Sequence, residues 1–266
     1  MEKYFMGDLQ VPRDRIQCLL GSWKHTSLED SSYPSCTHII DALLGIITNP
    51  DVKYGDNIVI FYAGHGSYYS DEKDHHGVSG YIEALCPIDR GSVSAKGALI
   101  PDISDRELNT ILTQIFRAKG HRITVILDCC HSGSVSRELP ELGARVTPVT
   151  RGVTLEDMLL VGDSYLRSYP GYRSILSQDW YPDVVSHVLL AVCKEYEFAK
   201  EKEVKGEDST VGYTGIFMDS LVCALRSGYW RKETTYADIP FGLDESRHQT
   251  PMVSGKYKDT RLWYQG

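Results

Sequence analysis

Three near-continuous apolar runs, and the amphipathic segments between them, set the expected fold of the chain. The runs cover residues 57–63, 122–129 and 187–193, and near-continuous apolar runs are typical of strands buried on both faces. Apolar residues recur at helical spacing over 37–48 and 104–119, which predicts two helices. Strands that alternate with helices in this way predict an α/β domain with a mostly parallel central sheet.

Other parts of the chain give weaker patterns. Ser104-Asp105-Arg106-Glu107 is a capping-box pattern that opens the second helix. Residues 215–226 predict a further helix, and residues 261–264 predict a final edge strand. The polar stretches 67–100 and 131–186 predict long loops, which in a compact domain usually carry function.

Composition and charge narrow the classes of partner. The chain has 266 residues, of which 42% are hydrophobic and 24% charged, as expected for one globular domain over residues 1–266. The net charge of −8 and the lack of a basic run argue against nucleic acid and anionic membranes as partners. No apolar run reaches the roughly 20 residues that a membrane-spanning helix needs.

The cysteines indicate a reducing compartment. Their number is odd, their spacing is scattered, and neither a CxxC pair nor an N-glycosylation sequon occurs. Free thiols of this kind are typical of the cytosol or the nucleus rather than of a secreted disulfide scaffold. The seven are Cys18, Cys36, Cys86, Cys129, Cys130, Cys193 and Cys223.

Two of the predicted strands end in residues that can do chemistry. The first runs into Gly64-His65-Gly66, and the second runs into Asp128-Cys129-Cys130-His131. Ligands of open α/β sheets bind at the carboxyl ends of the strands. If these two strands are neighbours, His65 and Cys130 therefore meet above the sheet.

A histidine beside a cysteine is a sufficient arrangement for nucleophilic catalysis. A thiol attacks as the thiolate, and a nearby imidazole lowers its pKa or takes its proton. The ordinary alternatives are a solvated histidine and a cysteine that packs in the core. A metal site on Cys129-Cys130-His131 is disfavoured, because neighbouring strand residues point to opposite faces. From the residues alone, a catalytic pair and two unrelated structural residues both remain open.

The two motifs together resemble those of the metacaspases, which are caspase-like cysteine peptidases. Tyr62-Ala63-Gly64-His65-Gly66 and Asp128-Cys129-Cys130-His131-Ser132-Gly133 carry the resemblance. Residues 187–201 and 248–264 resemble later landmarks of the family, in the form found in basidiomycete fungi. The resemblance implies a three-layer α/β caspase–hemoglobinase fold, with a mostly parallel sheet and helices on both faces.

The resemblance also implies roles for particular residues. His65 matches the general base, and Cys130 matches the nucleophile because it directly precedes His131-Ser132-Gly133, which leaves Cys129 as a packing residue. Backbone N–H groups of Gly66 and Cys130 would form the oxyanion hole. Asp128 matches an acidic residue of the S1 pocket, which implies cleavage after Arg or Lys.

The chain also departs from the family pattern. The family begins with an apolar strand and a helix whose start supplies a second S1 aspartate, and neither is present here. Position 63, usually serine, is Ala63. These departures predict an exposed apolar gap or edge in the sheet and reduced peptidase activity. The alternative reading is a catalytically impaired pseudo-peptidase or binding protein.

No cofactor is needed for the chemistry that the resemblance implies. Calcium activation is common in the family, and loop carboxylates would supply the oxygen ligands. Asp102 and Asp105 are the weak candidates near the second helix, and no loop has EF-hand spacing. The expected partners are protein or peptide substrates with a basic residue at the cleavage site. Further acidic candidates in the first loop are Asp71, Glu72 and Asp74.

Overall fold

The structure is a computed structural model of the chain. It describes residues 1–21, 26–27, 29–71, 80–129, 147, 150–192, 199–205, 211–227, 233–243 and 249–264. The strands of these residues are β1 (Ile58–Ala63), β2 (His65–Asp71), β3 (Gly80–Cys86), β4 (Ile103–Ser104), β5 (Ile123–Asp128), β6 (Val188–Ala191), β7 (Glu201–Lys205), β8 (Val211–Gly215) and β9 (Met252–Ser254). The α-helices are α1 (Cys36–Thr48), α2 (Asp105–Lys119), α3 (Leu155–Leu166), α4 (Ile216–Arg226) and α5 (Ile239–Gly242).

The central sheet is mostly parallel, as predicted. Its order is β1-β5-β6-β9, and only β9 runs antiparallel to its neighbour. Every residue of β5 is buried. Val125 belongs to one hydrophobic core and Ile126 to another, because successive side chains of a strand point to opposite faces.

Helices cover both faces of this sheet and so form three layers. On one face α1, α2 and α3 bury Ile40, Ile111 and Met158. On the other face α4 buries Phe217 and Leu221. The predicted three-layer α/β architecture is therefore confirmed. None of the helices in the described part of the chain is long and apolar enough to cross a membrane.

The strand β1 differs from the prediction that it is buried on both faces. Among the described residues it pairs with β5 alone and forms the end of the central sheet. Its burial alternates instead of being continuous, and Phe61 is 37% exposed. An apolar sequence thus lies at a sheet edge, which is the kind of apolar edge that the departure from the family pattern predicts.

Both stretches predicted as long loops contain regular structure. Strands β2 and β3 form an antiparallel hairpin within 65–86, and α3 lies within the second stretch. The hairpin was missed because its strands are rich in Ser, Tyr and Gly. It nevertheless places Tyr69 and Ile82 in the core.

The predicted edge strand over 261–264 is wrong. Trp263 and Tyr264 have φ of 55° and 50°, and left-handed backbone cannot continue a strand. The segment Leu262–Tyr264 forms a single 3₁₀ turn that buries Trp263. The antiparallel edge strand is β9, which pairs with β6.

Candidate active site

The candidate site forms where β1 and β5 end side by side. Their parallel register places Ala63 opposite Asp128. One residue further on, the Gly64 N–H donates to the Asp128 carbonyl at 3.3 Å. The expectation that the two strands are neighbours is therefore confirmed, and His65 begins at the sheet edge where β5 delivers its carboxyl end.

A tight backbone path holds His65 at this edge. The Tyr62 hydroxyl donates to the carbonyls of His65 and Cys86 at 2.9 and 3.0 Å. The tyrosine ring lies so close to Gly64 that a Cβ there would be 2.7 Å from the Tyr62 hydroxyl. Glycine at position 64 therefore allows the tyrosine to fix the turn into β2, on which the His65 side chain is exposed.

On the other strand, the described residues end at Cys129. Its side chain is 0% exposed within the hydrophobic core, in agreement with the expected packing role. Cys130 and His131-Ser132-Gly133 lie outside the described residues. The nucleophile and its share of the oxyanion hole therefore remain predictions, as does the role of Gly66, which lies on β2 opposite Leu85.

A second cysteine lies close to His65 without being predicted. Cys86 on β3 pairs with His65 across the hairpin. Burial, together with the negative charge of Asp102, raises the pKa of the Cys86 thiol to about 12. The thiolate is the nucleophilic form, so Cys86 is a poor nucleophile at neutral pH.

A cavity of about 380 Å³ opens at this end of the sheet. Asp128, which is only 1% exposed, and Glu201 on β7 place two acidic side chains along it. Its volume falls in the range of small-ligand sites. The lining residues are Met1, Phe61, Ala63, Gly64, His65, Asp128, Glu201, Tyr213, Thr214, Gly215 and Met218.

The far wall of the cavity was missed by sequence reasoning. It comes from the β7–β8 hairpin, which contributes Glu201 and Tyr213. Residues 201–205 read EKEVK, and a strand with so few apolar residues gives no hydrophobic periodicity. The available sequence signal for this wall was weak: it consists of the acidic residue Glu201 at the start of a short segment that can form a strand.

The calcium candidates near α2 are placed differently from the expectation. Asp102 is 0% exposed and forms an ion pair with Arg90, so it does not fit a calcium site. Asp105 is the first residue of α2, and its carboxylate accepts the Arg106 N–H at 2.6 Å. No group of three or more potential metal ligands occurs among the described residues. The side chains of the first-loop candidates lie outside that part of the chain.

A comparison with models of protein families identifies the family of this chain. The model of the metacaspase, peptidase C14 domain matches residues 1–139, which is more than half of the chain. The chain belongs to the metacaspase family. The matched span includes α1, β1, α2 and β5, and therefore the two strands that meet beside His65.

Curated metacaspases from distant organisms match parts of the chain. Metacaspase-1 of Candida albicans is 30% identical over 147 residues, which cover 53% of this chain and 29% of the relative. Metacaspase-4 of Arabidopsis thaliana is 28% identical over 113 residues, covering 42% and 24%. Metacaspase-5 of Trypanosoma cruzi is 34% identical over 85 residues, covering 32% and 17%. The chain thus matches less than a third of the length of these metacaspases, and the basidiomycete assignment stays a prediction.

A solved structure shares the fold. The crystal structure of protein GSU0716 from Geobacter sulfurreducens matches with a TM-score of 0.51 and 19% identity. The match covers 86% of this chain and 78% of that chain. At this identity the likeness shows the architecture alone, and it extends beyond the span that the metacaspase family model matches.

Proposed function

We propose that this metacaspase-family chain is a cysteine-type endopeptidase that cleaves after Arg or Lys, with Cys130 as nucleophile and His65 as general base. The observation that carries the proposal is the parallel pairing of β1 with β5. It brings His65 beside the strand end from which the chain continues into Cys130. A Cys–His pair above a sheet edge is sufficient for acyl transfer.

The proposed reaction proceeds in two acyl-transfer steps. His65 takes the thiol proton of Cys130, and the thiolate attacks the carbonyl carbon of the scissile peptide bond. Backbone N–H groups of Gly66 and Cys130 stabilise the oxyanion. The His65 imidazolium then protonates the leaving amine as the C–N bond breaks, which leaves a thioester. Water, deprotonated by His65, hydrolyses the thioester and regenerates the thiol.

The preference for a basic residue is supported by the charge of the cavity. Asp128 and Glu201 both line it, and neither lysine nor arginine is among its lining residues in the described part of the chain. A cationic side chain entering this cavity would gain charge-assisted hydrogen bonds, whereas an acidic one would meet like charge. Glu201 would thus supply the second carboxylate that the family takes from its N-terminal helix.

The first experiment separates the thiols. Cys130→Ala is expected to abolish cleavage of an arginyl reporter peptide, while Cys129→Ala and Cys86→Ala retain most of it. His65→Ala should lower kcat about 100-fold or more, because general-base assistance is worth that much. Steady-state kinetics on folded variants checks this. If Cys86→Ala loses activity while Cys130→Ala keeps it, the nucleophile is Cys86 on β3, and the proposed assignment to Cys130 is wrong.

The second experiment tests the acidic cavity. Asp128→Asn and Glu201→Gln should each lower kcat/KM for arginyl peptides, whereas Glu203→Gln should leave it unchanged. Glu203 is exposed on the same strand as Glu201 and does not line the cavity. Comparison of peptides that differ only in Arg, Gln or Asp before the cut measures the preference. Faster cleavage after Asp by the unmutated chain would refute a basic-residue pocket.

A further inference from the structure

A buried ion pair lies beside the strand that carries His65. Arg90 donates two hydrogen bonds to Asp102, from Nε to Oδ1 at 2.6 Å and from Nη2 to Oδ2 at 2.7 Å. Asp102 is 0% exposed. Such a two-pronged contact fixes orientation as well as distance, because the guanidinium and the carboxylate are both planar.

Two side chains of β2 bind the same carboxylate. Ser67 Oγ donates to Asp102 Oδ2 at 2.7 Å, and the Tyr69 hydroxyl donates to it at 2.9 Å. Alternate residues of a strand share a face, so His65, Ser67 and Tyr69 all lie on one face of β2. Asp102 therefore holds β2 on the face that carries His65.

The other side of the ion pair holds two threonines that precede α3. Arg90 Nη1 donates to Thr147 Oγ1 at 3.0 Å. Thr150 Oγ1 donates to Asp102 Oδ2 at 3.4 Å, and Thr150 is buried. Both threonines lie in the chain between Cys130 and α3. One ion pair thus joins the strand of His65 to the threonines that precede α3.

The energetics of buried ion pairs suggest what this arrangement is for. Removing two charges from water costs about as much as their attraction returns, so the pair adds little net stability. Its geometry is nevertheless demanding, since its hydrogen bonds hold β2 on one side and the two threonines before α3 on the other. We propose that Arg90 and Asp102 are positioning residues that hold β2, and with it His65, in the place that cleavage needs. This inference rests on the proposed peptidase function.

The test cuts one link on each side and leaves the ion pair intact. Ser67→Ala removes a hydrogen bond from β2, and Thr147→Val removes the hydrogen bond from Arg90 to the segment that leads into α3. Thr113→Val is the matched control, because Thr113 is a part-buried threonine whose hydroxyl lies 2.9 Å from the Asn109 carbonyl and 3.2 Å from the Asp183 carboxylate, outside this network. Kinetics on an arginyl peptide are combined with the pH profile of Cys130 alkylation by iodoacetamide, read by mass spectrometry of the Cys130 peptide.

We expect kcat to fall about tenfold or more in both variants with KM nearly unchanged, because small misplacements of reacting groups are costly. The apparent pKa of Cys130 alkylation should rise toward the ~8.5 of an isolated thiol as the imidazole contact loosens. Thr113→Val should change neither kcat nor the apparent pKa of Cys130 alkylation. Ser67→Thr, which keeps a hydroxyl at position 67, should leave both close to the values of the unmutated chain. Should Ser67→Ala fail to fold, Tyr69→Phe removes the second β2 hydroxyl that donates to Asp102 and carries the same expectation.

Two results would overturn the inference, and they are distinguishable. If the unmutated chain cleaves and its Cys130 is activated, but Ser67→Ala and Thr147→Val behave like Thr113→Val, the ion pair is a structural brace only. If the unmutated chain itself neither cleaves nor shows an activated Cys130, the peptidase proposal fails and the positioning role fails with it.

Discussion

Glu107 carries a buried carboxyl group that the proposed reaction does not use. It is 3% exposed, and its Oε1 meets no hydrogen-bond donor among the described residues. Burial raises its pKa from 4.5 to about 8. Only one of the two hydrogen bonds of the predicted capping box forms: Ser104 Oγ accepts the Glu107 N–H at 3.1 Å. The Glu107 carboxyl group does not return to the Ser104 N–H, because it turns into the core beside Gly162.

This carboxyl predicts a loss of stability as pH rises. The folded chain retains the Glu107 proton up to about pH 8, whereas the unfolded chain releases it above about 4.5. Unfolding therefore releases a proton in this window, and the free energy of unfolding falls by up to about 1.4 kcal/mol per pH unit. Glu107→Gln should remove about 1–2 kcal/mol of the difference between pH 6.5 and pH 8, measured by urea unfolding.

The choice of window separates Glu107 from His187. Burial lowers the pKa of His187 to about 4, so its contribution to stability is lost as pH falls below 6.5 and is constant above it. Glu203→Gln, at an exposed carboxylate, should keep the slope of the unmutated chain. An unchanged slope in Glu107→Gln would mean that Glu107 ionises at ordinary pH in the folded chain.

At the scale of elements, α3 is a helix within the stretch 131–186, whose polar sequence predicts a long loop. It starts with a complete capping box, in which Thr154 Oγ1 accepts the Asp157 N–H at 3.1 Å and the Asp157 carboxylate accepts the Thr154 N–H at 3.1 Å. Its apolar side is short, and Met158 and Leu166 are its fully buried residues. The cap therefore contributes much of the signal that defines where this helix begins.

Removal of that cap should be measurable. Thr154→Ala leaves the Asp157 N–H of the first turn without its side-chain acceptor and should lower the free energy of unfolding by about 1 kcal/mol. Thr48→Ala, at the exposed last residue of α1, is the control and should change it by less than about 0.5 kcal/mol. Denaturant titration of both variants gives the comparison. Equal effects would show that the Thr154 hydroxyl is not an effective cap.

The elements that the sequence predicts correctly are those whose own apolar pattern indicates which of their residues are buried. Helix α2 has a continuous apolar stripe, and β5 is mostly apolar and buried at every position, so both lie within a residue or two of their predicted bounds. Hairpin β2–β3 is held by contacts between distant residues, such as Ser67 with Asp102, which local patterns do not contain. The same reason explains the site: His65 and Asp128 follow strong strands, whereas Glu201 depends on how a polar hairpin docks.

At the scale of the whole molecule, the open side of β1 affects how chains meet one another. Among the described residues, β1 has a partner strand on one side only, and Phe61 is 37% exposed there. Unpaired strand edges with apolar side chains promote association between chains. We expect concentration-dependent self-association of the purified chain, measured by sedimentation velocity.

A charge placed on that edge should reduce the association. Phe61→Lys puts a charge where strand addition would have to desolvate it, so the associated fraction should fall. Tyr54→Lys removes an aromatic side chain that is 77% exposed outside any strand, and it should leave the associated fraction unchanged. A chain that stays monomeric at all concentrations, or equal effects of the two variants, would show that β1 is not the contact surface.

The hydrogen bond from Gly64 to Asp128 means that the spacing of the sheet strands sets the distance across the proposed active site. Neighbouring strands are always about 4.8 Å apart, whatever side chains they carry. The segments that carry the proposed general base and nucleophile therefore start from positions whose separation is set by backbone hydrogen bonding and not by loop composition. The loops around the cavity can then differ between relatives without changing this distance. A shift of β1 against β5 by one residue would instead turn His65 to the opposite face, and the proposed activity would be lost.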